Sequence, residues 1–396
     1  MMLGMYKWVD TAQAELRKLS IQGWLIYDFR GLNRLGKRFL DLGPGLLSRR
    51  VFLYIPATGR PQLLVHAIEK GSLHDLPFDV HSYSSHEVLR ERLAAILPRG
   101  EVAMEYSPEN NIPYLSFVDA GTVELLGSLG VTPVSSGDLL QAFSAWTPAQ
   151  MEAHRAAAQH VVAAKDAGYA WIRARAAAGE EVREAAVQAV ISGYFDKHGL
   201  EYDHACIVGF AGNAGDPHYA PVAGSDRALE PGDAILIDLW CKLPGKDNPY
   251  ADITFSGSFG PPAPEHAHAF EVIATARDLG VKFIRDAAAA GRWPEGHEVD
   301  DVVRGHIAAH GHGDDFTHRT GHSIGLDSAH GEAVHLDNFE TRDTRQVLPG
   351  IAVTIEPGIY RPDFGVRTEI NLIMQADGPE VTTELQHELI VIPLPG

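Results

Sequence analysis

The sequence predicts a two-domain protein of mixed helices and strands, in which a smaller α/β domain precedes a larger domain with most of the candidate functional residues. The chain has 396 residues, which is long for one domain because domains commonly hold about 100 to 200 residues. Strand-like and helix-like stretches alternate in the first part, and a clean helix start follows at Thr147. Acidic side chains then recur in apolar, β-branched stretches.

The first domain is predicted from short apolar stretches that are bounded by polar or turn residues. Four of them are typical of strands: Gly23–Tyr27, Val51–Ile55, Gln62–Val65 and Val102–Tyr106. Helix-like segments separate these strands, and such alternation indicates an α/β layer domain. We assign residues 1–146 to this domain and residues 147–396 to the second.

The second domain opens with a strong helix-start signal. Thr147 can cap a helix, Pro148 suits the first helical position, and Gln150 completes a capping box. An Ala-rich helix is expected to run from Pro148 to about residue 178 and to stop at Gly179. A second helix is expected over 182–198, closed by Gly199, and a third over 263–290.

Two glutamates stand in stretches that otherwise resemble buried strands. Glu356 follows Thr354-Ile355, and Glu369 lies between Val366-Arg367-Thr368 and Ile370. A buried and unpaired carboxylate costs several kcal/mol, so a cation is expected to meet each of them. Because the segment at 362–365 is typical of a hairpin tip, the two strands should lie side by side and bring both acids together.

Two aspartates repeat this pattern earlier in the domain. Asp238 ends the apolar run that starts at Ala234, and Asp252 lies in the strand-like run 251–255. A salt bridge explains one buried acid, but four acids need more positive charge than the nearby Lys and Arg residues supply. Two divalent cations would balance four carboxylates, and oxygen ligands with a histidine suit manganese, iron, cobalt or zinc.

The segment from His306 to His335 holds seven of the chain's 20 histidines and offers two other readings. His306 and His310 share the spacing of a zinc HExxH site, but Ile307 stands where that site needs a glutamate. The stretch 321–325 matches the nucleophile elbow G-x-S-x-G, with Ser323 as nucleophile and a late His387 as partner. Its polar flanks lack the strand and helix that an elbow requires, so a serine hydrolase remains a distant alternative.

Composition excludes several classes of protein. The hydrophobic share of 45% is ordinary, and no apolar run approaches the roughly 18 residues of a membrane span. A net charge of −19 argues against a nucleic-acid partner. The N-terminus lacks the pattern of an export signal, and Cys206 and Cys241 are too few for a disulfide framework. We therefore expect a cytoplasmic protein without a membrane segment.

Five motifs in order resemble those of the pita-bread metallopeptidases. That family's five metal ligands follow the order Asp, Asp, His, Glu, Glu, and they match Asp238, Asp252, His322, Glu356 and Glu369. The resemblance covers the whole second domain and implies an α+β pita-bread catalytic domain. With a creatinase-like N-terminal domain and Arg367 two residues before the last glutamate, the chain is similar to the branch of Xaa-Pro dipeptidases (prolidases) and aminopeptidases P.

The resemblance also implies roles for the residues. Asp252 and Glu369 would bridge two metal ions, with Mn²⁺ expected first and Co²⁺, Zn²⁺ or Fe²⁺ as alternatives. Asp238 would bind one ion, and His322 with Glu356 the other. Glu356 would also act as general base toward the bridging water, which becomes the nucleophilic hydroxide. The remaining roles belong to residues on the substrate side: His218, His330 (or His335 in its place) and Arg367.

The expected function is hydrolysis of the Xaa-Pro bond, most simply in dipeptides. An aminopeptidase P that accepts longer Xaa-Pro peptides is the close alternative. Arg367 has two possible roles, because on a strand it points to the same face as Glu369. It would either hold the substrate carboxylate or form a salt bridge to a ligand carboxylate. The resemblance further implies a homodimer.

Overall fold

The structure is a computed structural model that describes residues 7–40, 48–72 and 76–395. The chain divides into two compact units, Met1–Phe143 and Ser144–Gly396. How the function is divided between these units stays a prediction. No helix in the described ranges is long and apolar enough to cross a membrane.

The first unit is a six-stranded mixed sheet covered by helices. Its strands are β1 Gly23–Phe29, β2 Arg50–Pro56, β3 Gln62–His66, β4 Asp79–Tyr83, β5 Gly100–Met104 and β6 Val131–Ser135. Its helices are α1 Lys7–Lys18, α2 Arg34–Lys37, α3 His86–Ile96, α4 Ala120–Ser128 and α5 Gly137–Gln141. The strand order is β4-β3-β2-β1-β5-β6. Two separate apolar clusters pack on the sheet, as an α/β layer domain requires. The predicted fold class of this unit is confirmed.

Four long helices form the outer layers of the second unit. They are α6 Pro148–Ala177, α7 Glu184–His198, α8 Pro264–Ala289 and α9 Gly296–Ala309. The first three follow the predicted bounds within two residues. Both halves of the capping box between Thr147 and Gln150 are present. Gly199 closes α7 at φ 65°, a left-handed conformation that glycine adopts without a Cβ penalty.

Three sheets lie between these helices. Their strands are β7 Ile207–Phe210, β8 Ala234–Lys242, β9 Tyr250–Phe259, β10 Ala352–Ile355, β11 Gly358–Tyr360, β12 Gly365–Arg367, β13 Ile370–Gln375, β14 Gly378–Val381 and β15 Ile390–Ile392. The strand orders are β15-β9-β8-β7, β10-β13-β14 and β11-β12. Helices with mostly antiparallel sheets make this unit α+β, as expected, and β15 pairs with β9 in parallel.

The predicted hairpin between the two glutamates is present, but its strands are interrupted. Ile355 pairs with Ile370 at the end of one ladder, and Gly358 pairs with Arg367 at the start of the other. Glu356 and Glu369 fall in the gap between these ladders. The expectation that each glutamate lies within a strand was therefore wrong. Because the ladders separate at this point, both carboxylates can leave the apolar sheet surface.

Candidate metal centre

The two aspartates share one face of the β8–β9 pair. In the antiparallel register Asp238 lies opposite Thr254, two residues beyond Asp252, and side chains two apart point the same way. Their neighbours Ile237, Leu239 and Ile253 point to the opposite face, into the apolar cluster that includes residues of α6 and α7. The prediction that Asp238 ends its strand was wrong, because Asp238 stands near the middle of β8. Strand alternation thus places polar residues on one face.

The glutamates approach the same face through hydrogen bonds to β9. The backbone N–H of Glu369 donates to the carbonyl of Thr254 at 3.1 Å. The hydroxyl of Thr254 donates to Oε2 of Glu369 at 2.8 Å. Glu356 is held from the other side, where its Oε1 accepts from the hydroxyl of Thr354 at 3.0 Å. Two threonine hydroxyls therefore orient the two glutamates.

His322 presents one defined ring nitrogen to these acids. Its Nδ1 lies 2.9 Å from the carbonyl of Ser323, and a carbonyl only accepts, so Nδ1 carries the proton. Its Nε2 lies 3.7 Å from Oδ2 of Asp252 and 3.5 Å from Oε1 of Glu356. Burial lowers the pKa of His322 to about 3. The ring is therefore neutral at pH 7, as a metal ligand must be.

The cluster holds more negative charge than its protein contacts balance. Burial first, and then the nearby Asp238 and Glu356, raise the pKa of Asp252 well above the usual carboxyl range. Burial and the charge of Asp252 raise the pKa of Glu369 in the same way. One buried oxygen has no hydrogen-bond partner among the described residues in each of Asp238, Asp252 and Glu369. Unpaired, crowded carboxylate oxygens are what a cation would satisfy.

The donor set fits divalent metal ions. Asp252, His322 and Glu369 each place one potential ligand atom within 4.8 Å of the other two. Asp238 and Glu356 border this group, so all five sequence-predicted ligands come together in one place. Four carboxylates and one neutral imidazole form an oxygen-rich set of the kind that manganese and similar ions bind.

Arg367 is fully engaged by the protein. Its Nη2 donates to Oδ2 of Asp238, its Nε donates to the hydroxyl of Thr254 at 3.0 Å, and its Nη1 donates to Tyr360 at 3.1 Å. The side chain is buried. A guanidinium held at all three nitrogens favours the bracing role over contact with substrate.

A chain of hydrogen bonds extends from Arg367 to a histidine that sequence reasoning missed. His318 has its Nδ1 2.7 Å from the carbonyl of Arg319, so its Nε2 accepts from the hydroxyl of Tyr360 at 2.7 Å. Burial lowers the pKa of His318 to about 3, which agrees with a neutral ring. The position of Tyr360 in the hairpin was visible in the sequence, but nothing there indicated its link to His318.

The three candidate substrate-side histidines differ in their surroundings. His218 and His330 are exposed, and the ring centre of His330 lies 4.0 Å from that of His322. His335 is 3% exposed, and its Nδ1 accepts from the backbone N–H of Ser323 at 3.2 Å. A buried ring that holds the backbone is poorly placed for substrate. The arrangement favours His330 over His335.

The serine-hydrolase alternative finds no support. Ser323 is 1% exposed, and its hydroxyl donates to the carbonyl of Ala333 at 3.2 Å. Its backbone pairs with Val353 in an isolated β-bridge. No helix follows Ser323 within the described residues of this loop region, whereas an elbow needs one. His387, the proposed partner, is exposed in a loop.

Comparisons with known proteins agree with this geometry. The model of metallopeptidase family M24 matches residues 152–376. The probable dipeptidase PepE of Mycobacterium tuberculosis is 29% identical over 355 residues, which are 88% of this chain and 87% of that protein. The Xaa-Pro dipeptidase of Pyrococcus horikoshii is 30% identical over 167 residues, 42% of this chain and only 44% of that protein.

A solved structure extends the similarity to the whole fold. The crystal structure of dipeptidase PepE from Mycobacterium ulcerans has a TM-score of 0.66 and 26% identity. The match covers 98% of both chains, so it includes both units. The pita-bread fold expected from the sequence is therefore confirmed.

Proposed function

This chain belongs to metallopeptidase family M24, and on that premise we propose that it hydrolyses the Xaa-Pro bond of dipeptides. The observation that carries the proposal is the convergence of four acids and His322, with three buried carboxylate oxygens that lack a hydrogen-bond partner among the described residues. The name of the Pyrococcus horikoshii relative supports the choice of substrate. An aminopeptidase P acting on longer peptides is the alternative.

We propose that two metal ions are held by Asp238, Asp252, His322, Glu356 and Glu369, with Asp252 and Glu369 as bridges. Two divalent cations supply a field that lowers the pKa of a water toward neutrality and polarises a carbonyl. Mn²⁺ is the first choice because the donors are mostly oxygen, and Co²⁺, Zn²⁺ and Fe²⁺ are the alternatives.

We propose Glu356 as the general base. Its side chain is 14% exposed, compared with 7% for Asp252 and 10% for Asp238, so it is the more accessible to substrate. Its carboxylate would accept the proton of the attacking water and pass it to the leaving proline nitrogen. The exposed His218 and His330 would hydrogen-bond the substrate carbonyl or termini.

We further propose that Arg367 positions Asp238 and does not touch substrate. Its three donating nitrogens hold Asp238, Thr254 and Tyr360, which lie on three different strands. A lysine has one ammonium group and cannot reproduce this planar arrangement.

Arg367→Lys should therefore lower kcat/KM by about tenfold or more at limiting Mn²⁺, as expected for a lost charge-assisted hydrogen bond of roughly 1.5 to 3 kcal/mol. Excess Mn²⁺ should restore much of the loss, which a metal titration of the activity measures. Arg155→Lys is the matched control, because Arg155 also forms paired bonds to an acid, Glu380. A loss that persists at full metal occupancy would assign Arg367 to the substrate instead.

We propose that the protein is cytoplasmic and forms a homodimer. Cys206 and Cys241 are buried and unpaired, which suits a reducing cytoplasm. The homodimer rests on the family resemblance and is tested by sedimentation.

A peptide-length series tests the proposed function. We expect Mn²⁺-dependent cleavage of Xaa-Pro dipeptides and much slower cleavage when residues follow the proline, measured as kcat/KM for each length. A chelator should abolish the activity, and Mn²⁺ or Co²⁺ should restore it.

The series also separates the alternatives. Faster cleavage of longer peptides would identify an aminopeptidase P. Inactivation by a fluorophosphonate, with activity retained in chelator, would favour Ser323 and contradict the metal centre.

A further inference from the structure

Four histidines meet on the surface of the second unit, apart from the five candidate ligands. We call His268, His306, His310 and His312 the surface histidine cluster. His268 lies on α8, His306 lies in the last turn of α9, His310 caps that helix, and His312 follows two residues later. Two helices and the turn after them therefore contribute to one patch. His268 and His310 are exposed, and the other two are half-buried.

The ring spacing of His306 and His310 is close to that of imidazoles that share a metal ion. The ring centres of His306 and His310 are 4.3 Å apart, and that of His268 lies 6.5 Å from His310 and 6.5 Å from His312. Two imidazoles that bind one zinc ion at about 2.0 to 2.1 Å have ring centres roughly 5 Å apart. Side-chain rotations that bring the ring of His268 roughly 1.5 Å closer to that of His310 or His312 would reach this spacing, and the exposure of the patch leaves room for them.

Hydrogen bonds to Nδ1 orient two of the rings as metal ligands are oriented. Nδ1 of His310 lies 2.8 Å from the carbonyl of His306, and Nδ1 of His312 lies 2.9 Å from Oδ2 of Asp315. A carbonyl and a carboxylate both accept, so Nδ1 of each ring carries the proton and Nε2 keeps its lone pair. Metal-bound histidines use this arrangement, including the carboxylate–histidine pair.

The charge around the cluster also suits a cation. Oε2 of Glu271 lies 3.9 Å from Nδ1 of His268, and Asp315 supports His312. Burial and the neighbouring His310 lower the pKa of His306, which favours the neutral ring that binds metals. Nη1 of Arg361 lies 3.9 Å from Oδ2 of Asp315.

We propose that the surface histidine cluster binds one borderline divalent cation, such as Zn²⁺, Cu²⁺ or Ni²⁺. His306 and His310 supply the first two nitrogens, because their ring centres are 4.3 Å apart at the end of α9. His268 or His312 supplies a third. Imidazole donors suit these ions, whereas the acids around Asp252 offer mainly oxygen. The site is therefore chemically distinct from the candidate metal centre, and the inference does not depend on the proposed peptidase activity.

Equilibrium dialysis tests this site directly. Protein loaded with Mn²⁺ and desalted is dialysed against micromolar Zn²⁺, and bound zinc and manganese are counted by mass spectrometry. Zinc that replaces manganese is recognised by the equal loss of manganese. We expect wild-type protein to hold about one more zinc ion per chain than the double variant His306→Ala, His310→Ala.

Matched variants keep the comparison specific. His86→Ala with His204→Ala removes two exposed histidines elsewhere and should retain the extra zinc. His306→Gln with His310→Gln preserves polarity and should lose it, which guards against misfolding of the alanine variant. Equal zinc uptake by wild type and both His306/His310 variants would overturn the proposal. Loss of the extra zinc from the His86/His204 control, to the same extent as from the His306/His310 variants, would also overturn it. Absence of Xaa-Pro cleavage in all these proteins would contradict the proposed function but not this site.

Discussion

Glu356→Gln should leave both metal ions bound and reduce kcat for an Xaa-Pro dipeptide by roughly 10² to 10⁴, the usual contribution of a general base. Glutamine keeps an oxygen where Glu356 accepts from Thr354 at 3.0 Å, so the side chain can stay in place. It cannot accept the proton of the attacking water. Metal content by mass spectrometry and steady-state kinetics on the same preparation measure the two effects.

The control for this variant is an acid outside the cluster. Glu384 pairs with the buried Lys165 at 2.6 Å and is half exposed, so Glu384→Gln should leave kcat unchanged. Full occupancy with normal turnover in Glu356→Gln would remove Glu356 from the mechanism. Loss of metal from Glu356→Gln would show instead that its charge is needed mainly for binding.

Asp252→Asn should have opposite effects on stability with and without metal. Asparagine cannot bridge two cations as a carboxylate does, so metal content and activity should be lost together. The free energy of unfolding of wild type rises by about 2.7 kcal/mol when the free metal concentration is 100 times Kd. The variant lacks this gain. In excess Mn²⁺ its Tm should be lower by roughly 5 to 10 °C, given a unit of this size.

Without metal the same change should stabilise the protein. Burial and the neighbouring acids raise the pKa of Asp252 well above the usual carboxyl range, so its ionised form opposes folding. The neutral amide removes that charge. The two hydrogen bonds between the backbone of Asp252 and the side chain of Asn371 do not involve the carboxylate, so they are kept. In chelator, Tm of Asp252→Asn should therefore exceed that of wild type.

The sign of the pH dependence follows from the raised pKa. At Asp252 and Glu369 the folded metal-free protein binds more protons than the unfolded chain, so the contribution of these two acids to the free energy of unfolding falls as pH rises above about 4 and through their raised pKa values. In thermal melts in chelator between about pH 5 and about pH 8, the Tm of wild type relative to that of Asp252→Asn should fall as pH rises, because the two proteins share the buried histidines and differ only at residue 252.

A surface acid provides the reference for these melts. Asp286 pairs with Lys282 in an exposed i,i+4 pair, so Asp286→Asn should change neither metal content nor the pH dependence. If Asp252→Asn retained its metal, or melted below wild type in chelator, Asp252 would not be the crowded bridging ligand that we propose.

Local signals in the sequence were sufficient for the elements of the fold. The capping box at Thr147 set the start of α6, and Gly199 set the end of α7, because both act within one helical turn. The apolar runs around Asp238 and Asp252 indicated strands, and the turn at 362–365 indicated a hairpin. Each of these features depends on residues close together in the chain.

The candidate acids were visible for a related reason. A carboxylate in an apolar, β-branched run conflicts with the pattern around it, and that conflict marks a site where something else must balance the charge. These four acids, Glu356, Glu369, Asp238 and Asp252, could therefore be identified from the sequence as candidate metal ligands. The sequence could not say that Glu356 and Glu369 lie between strands, and it misplaced Asp238 at a strand end.

Only the tertiary structure decided which side chains meet. Arg367 reaches Asp238, 129 positions away in sequence, because β8 and the β11–β12 hairpin come together, and the same packing links Tyr360 to His318. The break between the two ladders at Thr368 turns Glu369 toward Thr254. Exposure separated His330 from the buried His335. These contacts depend on strand register and on packing between distant segments, and no local pattern in the sequence encodes either.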